Sequence, residues 1–501
     1  MLTRLRVSGF KNLINVDIRF GPFTCVIGAN GVGKSNLFDA IQLLSALADR
    51  SLIDAARSIR NVGGRTADIR SLFHHAGEHY GDNISLEAEM IIPGEGVDAL
   101  RQRAVASTTF LRYAVTLAYR ADASQRSFGS LEILKEELDH INIGEATKHL
   151  LFPNKPKWRR SVIYGRRATP FISTEDQDDG CVIVLHQDGS GGGPIARSAG
   201  NLPRTVLSVA NTAATPTALL ARQEMLSWRL LQLEPTALRQ PDEFTAASRL
   251  DTNGAHLPSA LYHMAIQYAR VMKVSEEEAI SSVYNKVTTR LGELIEDVNA
   301  IWIDRDQRRE LMTLYATDRN GTAYPARALS DGTLRFLALA VLEQETDAHG
   351  LLCMEELENG IHPERIPAMV RLARELATDT SQPAGPDNPL RQVILNTHAP
   401  AVIAQITADD LMIAENRPVD EKDPAARQIT FGCIHETWRQ KAQETVYTIP
   451  RNYLLDTLKL VVPGLSVLYV ENEEEEGEEA AIKKEKTQEA SDLQMPLFTL
   501  S

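Results

Sequence analysis

The stretch "FTCVIGANGVGKSNLFDAIQ" constrains this chain more than any other, because an apolar run, a glycine-rich loop and a helical pattern follow one another without a break. Its centre, "GANGVGKS", fits G-x-x-x-x-G-K-S with Gly28, Gly33, Lys34 and Ser35 at the fixed positions. Glycines there let backbone N–H groups turn inward around phosphate oxygens, and the following helix adds partial positive charge at its N-terminus. On this reading Gly28, Ala29, Asn30, Gly31, Val32, Gly33, Lys34, Ser35 and Asn36 cradle the phosphates of ATP. Lys34 reaches the β- and γ-phosphates, and the Ser35 hydroxyl ligates Mg2+. The competing reading is an accidental glycine loop, against which the flanking strand and helix both argue.

A second segment, "LLCMEELENGIHPERI", places four apolar residues ahead of two adjacent carboxylates. Glu355 is expected to hold Mg2+ and Glu356 to orient and polarise the attacking water of phosphoryl transfer. Alone, the segment reads as an acidic turn after a core strand; the phosphate loop upstream favours catalysis. "ALSDGTLRFLALAVLE" opens another helix, with Ser330 as N-cap and Gly332 lying 23 residues before Glu355. Ser330 and Gly332 would form a further anion-binding helix start. "VILNTHAPAVIA" is a strand ending in Thr397 and His398, the latter 42 residues after Glu356. A lone histidine is more often structural; at the end of a strand beside the carboxylate strand it is placed to touch the γ-phosphate.

In this order the four segments resemble the ABC-type ATPase heads of the RecF, SMC and OLD-like group, in particular stand-alone ATPases without a nuclease domain. The resemblance covers residues 1–48 and about 225–415, including "LEPTALRQP" and "LDTNGAHLPSAL". It implies an α/β fold, a P-loop NTPase built as an ABC-ATPase head with a mixed central sheet, a helical insertion and a disordered acidic C-terminal tail. It also implies that Ser330 to Thr333 form a signature that covers the ATP held by a second subunit, so that a homodimer, or a higher homo-oligomer, sandwiches two ATP molecules. Lys11 and Asn12 resemble the group's phosphate-proximal residues. Glu355 stands where aspartate is more usual, and Asp331 where transport-type signatures have glycine. No glutamine loop can be assigned, since Gln42 falls inside the first helix.

The order of patterns predicts an ATPase lobe with the phosphate loop over 1–120, an insertion of unassigned structure over 121–214 and a helical subdomain over 215–300. A second ATPase lobe follows over 301–440, then an extension over 441–469 and a disordered acidic tail over 470–501. Leu5, Val7, Val16, Ile18, "NISLEAEMII" and "FLRYAVTLAY" alternate as half-buried strands. No run approaches the ~18 apolar residues of a spanning helix, and the N-terminus lacks a signal-peptide core, which predicts a cytoplasmic protein with no membrane partner. The four cysteines show no paired metal spacing, and Cys25 and Cys353 fall in apolar runs that suit a core.

The net charge of -14 argues against nucleic acid until its distribution is considered. Residues 471–492 carry ten Asp or Glu against three Lys, so half of the excess lies in the tail. Upstream, "KPKWRRSVIYGRR" at 155–167 gathers six Lys or Arg around Trp158 and Tyr164, which suits phosphate contacts plus stacking; the alternative is a solvated basic hairpin. "LSVLYVENEEEE" resembles the start of an OLD-type nuclease domain, but the 25 residues after Glu476 are too few to build one. "QMPLF" (Gln494, Leu497, Phe498) resembles a sliding-clamp ligand, or an apolar end that docks on its own body. Together these features predict a Mg2+-dependent ATPase that acts on or near DNA, in repair, recombination or antiphage defence. The alternative is an ATP-dependent scaffold that controls a separately encoded effector such as a nuclease.

Overall fold

The computed structural model describes residues 1–59, 68–77, 79–121, 129–177, 180–188, 193–295, 298–345, 349–420, 423–442 and 447–450. The acidic tail, the nuclease-like start at 465–476 and the clamp-like Gln494, Leu497 and Phe498 lie outside the described residues.

Strands buried on both faces have near-continuous apolar sequences, and three such strands form the centre of the molecule. Phe23–Ile27 and Arg391–Thr397 are buried at every position, and Gly350–Glu355 at every position except its last. The sheet runs in the order Arg229–Leu231, Gly350–Glu355, Arg391–Thr397, Phe23–Ile27, Leu411–Asp420, Asp423–Ile434, Thr448–Ile449. Its first five strands are parallel, and the Leu411–Asp420 and Asp423–Ile434 pair is antiparallel, so the sheet is mixed. The helix after the phosphate loop, Lys34–Leu47, buries Leu37, Phe38, Ile41 and Leu44.

The alternating N-terminal segments pair as expected, with Leu5 opposite Ile18 and Val7 opposite Val16. They begin an antiparallel sheet that continues through Asn83–Ile91 and Phe110–Arg120. The stretch left unassigned by pattern extends the same sheet with Ser130–His140, Ile172–Gln177, Gly180–Leu185 and Ile195–Ser198. Ser130–His140, "SLEILKEELDH", is rich in residues with helical preference, yet cross-strand pairing with Phe110–Arg120 overrides that preference.

Helices Pro216–Leu226, Leu257–Met272 and Glu276–Leu294 match the expected helical segments. Between the first two, Arg229–Leu231 is an edge strand of the central sheet, so the stretch from 215 to 300 is not helical throughout. The basic stretch also departs from expectation. Pro156–Val162 is a helix, not a hairpin, and Trp158 is 0% exposed, with its ring 5.7 Å from that of Phe152. Burial removes Trp158 as a stacking surface for a base. Cys25 and Cys353 are core residues, as their apolar surroundings implied.

Two buried polar side chains join the sheets. The Gln392 amide accepts from Leu2 N–H at 2.8 Å and donates to the carbonyls of Leu2 at 2.7 Å and Gly21 at 2.8 Å. The Arg439 guanidinium donates to Arg19 O, to Thr24 Oγ1 at 2.8 Å and to Asp409 O. Within the antiparallel sheet, Glu136 is fully buried and accepts from the N–H groups of Val206 and Leu207 and from the Tyr113 hydroxyl.

Burial raises the Glu136 carboxyl from its ordinary 4.5 to about 7, against the opposing pull of those hydrogen bonds. The folded chain therefore keeps a proton that the unfolded chain releases. The stabilisation this provides is complete below pH 4.5 and is lost as the pH rises through 7, an effect of up to about 3 kcal/mol. Thermal unfolding of the parent between pH 5 and 8 should show a steeper loss of Tm with rising pH than Glu136→Gln shows. Parallel pH profiles would mean that the carboxyl is already ionised in the fold.

Candidate active site

The register of the three buried strands brings distant segments to one edge of the sheet. Glu355 pairs with Asn396, Asn396 with Val26, and Thr397 with Ile27. The phosphate loop, the adjacent carboxylates and His398 therefore leave the sheet at the same C-terminal edge, where parallel α/β sheets bind ligands.

The loop's conformation depends on its last glycine. Gly33 has φ 106°, and a Cβ there would lie 2.2 Å from Asn12 Nδ2. Asn12 is packed this closely because its Nδ2 donates to Val32 O at 2.8 Å and its Oδ1 accepts from Asn36 Nδ2 at 2.8 Å. The neighbouring Lys11 turns away from the loop, and its ammonium pairs with the buried Asp39 at 2.6 Å. Of the two N-terminal residues singled out in sequence, Asn12 contacts the loop and Lys11 braces the helix behind it. Lys34 Nζ donates to the carbonyls of Gly28 at 2.7 Å and Ala29 at 3.0 Å. Burial lowers its pKa, and Glu356, Glu358 and Glu355 pull it back up.

These groups line a cleft of about 700 Å3, whose walls include Asn30, Lys34, Ser35, Arg335, Glu355 and Glu356. Glu355 accepts from Gln232 Nε2 at 2.6 Å and from Asn396 Nδ2 at 3.3 Å. Glu356 has φ 45°, a left-handed backbone that costs a non-glycine residue roughly 1–2 kcal/mol. Its Oε2 accepts from Asn359 Nδ2 at 2.8 Å, and its Oε1 lies 3.2 Å from His398 Nδ1, in ion-pair range but outside hydrogen-bond geometry. Behind it Glu358 accepts from the Thr397 hydroxyl, and burial raises its pKa.

Ser330 caps the helix Asp331–Gln344 as expected, its Oγ accepting from Thr333 N–H at 3.1 Å. Neither Ser330 nor Gly332 lines the cleft of its own chain. Arg239 bonds Leu329 O and the Asp331 carboxylate, while Gln232, a few residues earlier, bonds Glu355. The segment 232–239 thus touches both the carboxylate pair and the start of the signature helix. Sequence reading missed Gln232, Arg335, Asn359 and Asn396. The available signal was position: Gln232 directly follows a short apolar strand, as Glu356 and His398 do.

The oxygen donors Ser35 and Glu355 have the chemistry Mg2+ prefers, and the loop with Lys34 suits a triphosphate.

Comparison with known proteins agrees with this reading. The family described as "AAA domain, putative AbiEii toxin, Type IV TA system" matches residues 23–89 and 254–404, less than half of the chain. A DNA replication and repair protein RecF from Phocaeicola vulgatus is 36% identical over 64 residues, 13% of this chain and 17% of the relative. A RecF from Porphyromonas gingivalis is 31% identical over 87 residues, 17% of this chain and 23% of the relative. An OLD nuclease from Thermus scotoductus is 43% identical over 44 residues, 9% of this chain and 8% of the relative. The chain thus spans less than a quarter of each of these curated relatives. Among solved structures, an SmcHead bound to the C-winged helix domain of ScpA has TM-score 0.45 at 12% identity, covering 86% of this chain and 97% of that one. The SMC head domain from Thermotoga maritima has TM-score 0.34 at 10% identity, covering 86% and 98%. The family match and the short relatives support a resemblance to ATPases of the RecF and OLD group.

Gly33→Ala should weaken nucleotide binding at least about tenfold, because the new Cβ meets Asn12 and the backbone conformation is strained for alanine. Titration with a fluorescent ATP analogue measures this. Parental affinity would show that the loop binds nucleotide in another conformation.

Proposed function

We propose that the chain binds and hydrolyses ATP with Mg2+, that two copies close head to head around two ATP molecules, and that the assembly acts on or near DNA in repair, recombination or antiphage defence. One observation carries the reading: Lys34, Glu355 and Glu356 line one cleft at the ends of three adjacent parallel strands, with His398 3.2 Å from Glu356.

In this mechanism the backbone N–H groups of residues 28–36 and the Lys34 ammonium hold the phosphates. Ser35 and Glu355 would hold Mg2+, which would supply charge neutralisation for the nucleotide's phosphates. Glu356, fixed between Asn359 and His398, takes a proton from a water molecule as the water oxygen bonds to the γ-phosphorus. The bond from that phosphorus to the bridging oxygen breaks, which leaves ADP and inorganic phosphate. His398, 3.2 Å from Glu356, would steady the developing charge. The burial that lowers the Lys34 pKa also strengthens its attraction to an incoming polyanion.

The position of the Asp331–Gln344 helix supports the dimer. Ser330 and Gly332 open a capped helix outside their own cleft, so a second copy supplies the geometry in which they meet phosphate. Among the described residues no helix is long and apolar enough to cross a membrane. We place the activity in the cytoplasm. DNA as the object of the work is supported by the short RecF relatives, which are named for DNA replication and repair.

Lys34→Ala should abolish ATP binding. Glu356→Gln should keep ATP, lower hydrolysis at least about 100-fold and shift the chain to a dimer on size exclusion with ATP and Mg2+. Hydrolysis at the parental rate in Glu356→Gln would remove Glu356 as the general base. Steady-state hydrolysis should rise on adding duplex DNA, and the rise should shrink with salt. A DNA-indifferent rate, together with co-purification of a neighbouring gene product, would favour a scaffold for a separate effector.

A further inference from the structure

A number of cations on this acidic protein face a carboxylate. Arg4 pairs with Asp17 and Glu89, Arg6 with Glu87, Arg103 with Glu95, Arg120 with Glu132 and Arg222 with Asp49. With 67 Asp and Glu against 53 Lys and Arg, partners are in excess. The segment 155–166 is different in gathering several cations that do not pair in this way. Lys155, Lys157, Arg159, Arg160 and Arg166 make no ion pair among the described residues, and all but the half-buried Arg159 are exposed. Arg167 differs: it bonds the carbonyls of Thr169 and Gln187 and stacks on Phe171 at 4.2 Å, so its role is internal.

These five cations sit on a firmly held element. Trp158 is buried against Phe152, whose ring also meets Trp438 at 6.3 Å. Lys155 N–H donates to Thr380 O, Ala384 N–H donates to Ser161 Oγ, and the Thr109 hydroxyl donates to Val162 O. Trp158, Val162 and Ile163 are buried, whereas the ring of Tyr164 is 37% exposed. That leaves four exposed cations beside a single aromatic ring with a polar tip and no aliphatic stripe to insert, which fits a phosphate backbone better than a lipid surface. A fixed backbone also spares the partner the cost of ordering the segment.

We propose that residues 155–166 form a sequence-independent contact surface for the phosphate backbone of duplex DNA, with Lys155, Lys157, Arg160 and Arg166 as its principal cations. This rests on the reading that the ATPase works on DNA, and it adds where the duplex lies. Clustered, unpaired cations on a chain of net charge -14 concentrate attraction at one place while the rest of the surface repels.

The test is binding of the full chain, with ATP and Mg2+, to a fluorescent 30-base-pair duplex of random sequence between about 50 and 200 mM salt. The variant carries Lys155→Gln, Lys157→Gln, Arg160→Gln and Arg166→Gln together. Each phosphate contact contributes about -0.9 to the slope of log K against log salt, so the variant's slope should be shallower by about three to four. Its affinity at about 100 mM salt should fall at least tenfold, with hydrolysis in the absence of DNA unchanged. If parent and variant bind with the same slope, the surface is wrong and the DNA reading stands. If the parent binds no duplex even at the lowest salt, both fall. Preference of the parent for single strands, with the loss in the variant intact, would overturn the duplex as partner.

Discussion

Parallel pairing of three buried strands is the constraint on which the rest of the structure depends. Phe23–Ile27 lies far in sequence from Gly350–Glu355 and Arg391–Thr397; it runs into the phosphate loop, and the other two end in Glu355 and in Asn396–Thr397. Pairing them in parallel puts the phosphate loop, Glu355 and Thr397 at one edge. A slip of one residue would move Glu355 by about 3.3 Å and turn its side chain to the other face. The burial of nearly every residue in these strands excludes that slip, since it would drive Asn396, Thr397 or Glu355 into apolar surroundings without partners.

The antiparallel sheet does more than cover one face of this core. Gln392, inside the central strand Arg391–Thr397, bonds Leu2 and Gly21 through its amide and so fixes the N-terminal hairpin to the sheet. Net contributions of about 1 kcal/mol per hydrogen bond are ordinary, but losing one partner here would leave a buried amide unsatisfied, which costs more. The turn of that hairpin presents Asn12 to the phosphate loop and Lys11 to Asp39. The loop's shape is thus set by a residue from a different sheet. Gly33 is required because Asn12 stands where a side chain would go.

Within one subunit, the two ends of the proposed catalytic cycle are already joined. Gln232 holds Glu355, and Arg239 holds the Asp331 carboxylate at the opening of the signature helix. The acidic residue that replaces the usual signature glycine therefore does not present a bare charge; a guanidinium shares it. Gly332 needs no unusual backbone, and a Cβ placed there would lie 3.5 Å from Gly360 O, so the start of the Asp331–Gln344 helix packs close to the loop that follows the carboxylates.

The sequence by itself determined the features that are local in the chain. The phosphate loop, the helix from Lys34, the Ser330 cap and the buried carboxylate strand each follow from a short run of residues whose backbone needs are met nearby. Only the tertiary structure decided what depended on partners far away in sequence. Ser130–His140 carries helical preference and becomes a strand because Phe110–Arg120 pairs with it. Trp158 stands among cations in sequence and belongs to the core because Phe152 shelters it, while the cations around it remain outside. Gln232 carries no signature of its own, and joins the cleft only because its strand lies beside Gly350–Glu355. Local pattern reports which residues prefer water and which backbone shapes are allowed. Which of them meet is settled by long-range pairing, whose energy comes from contacts that no short window of sequence contains.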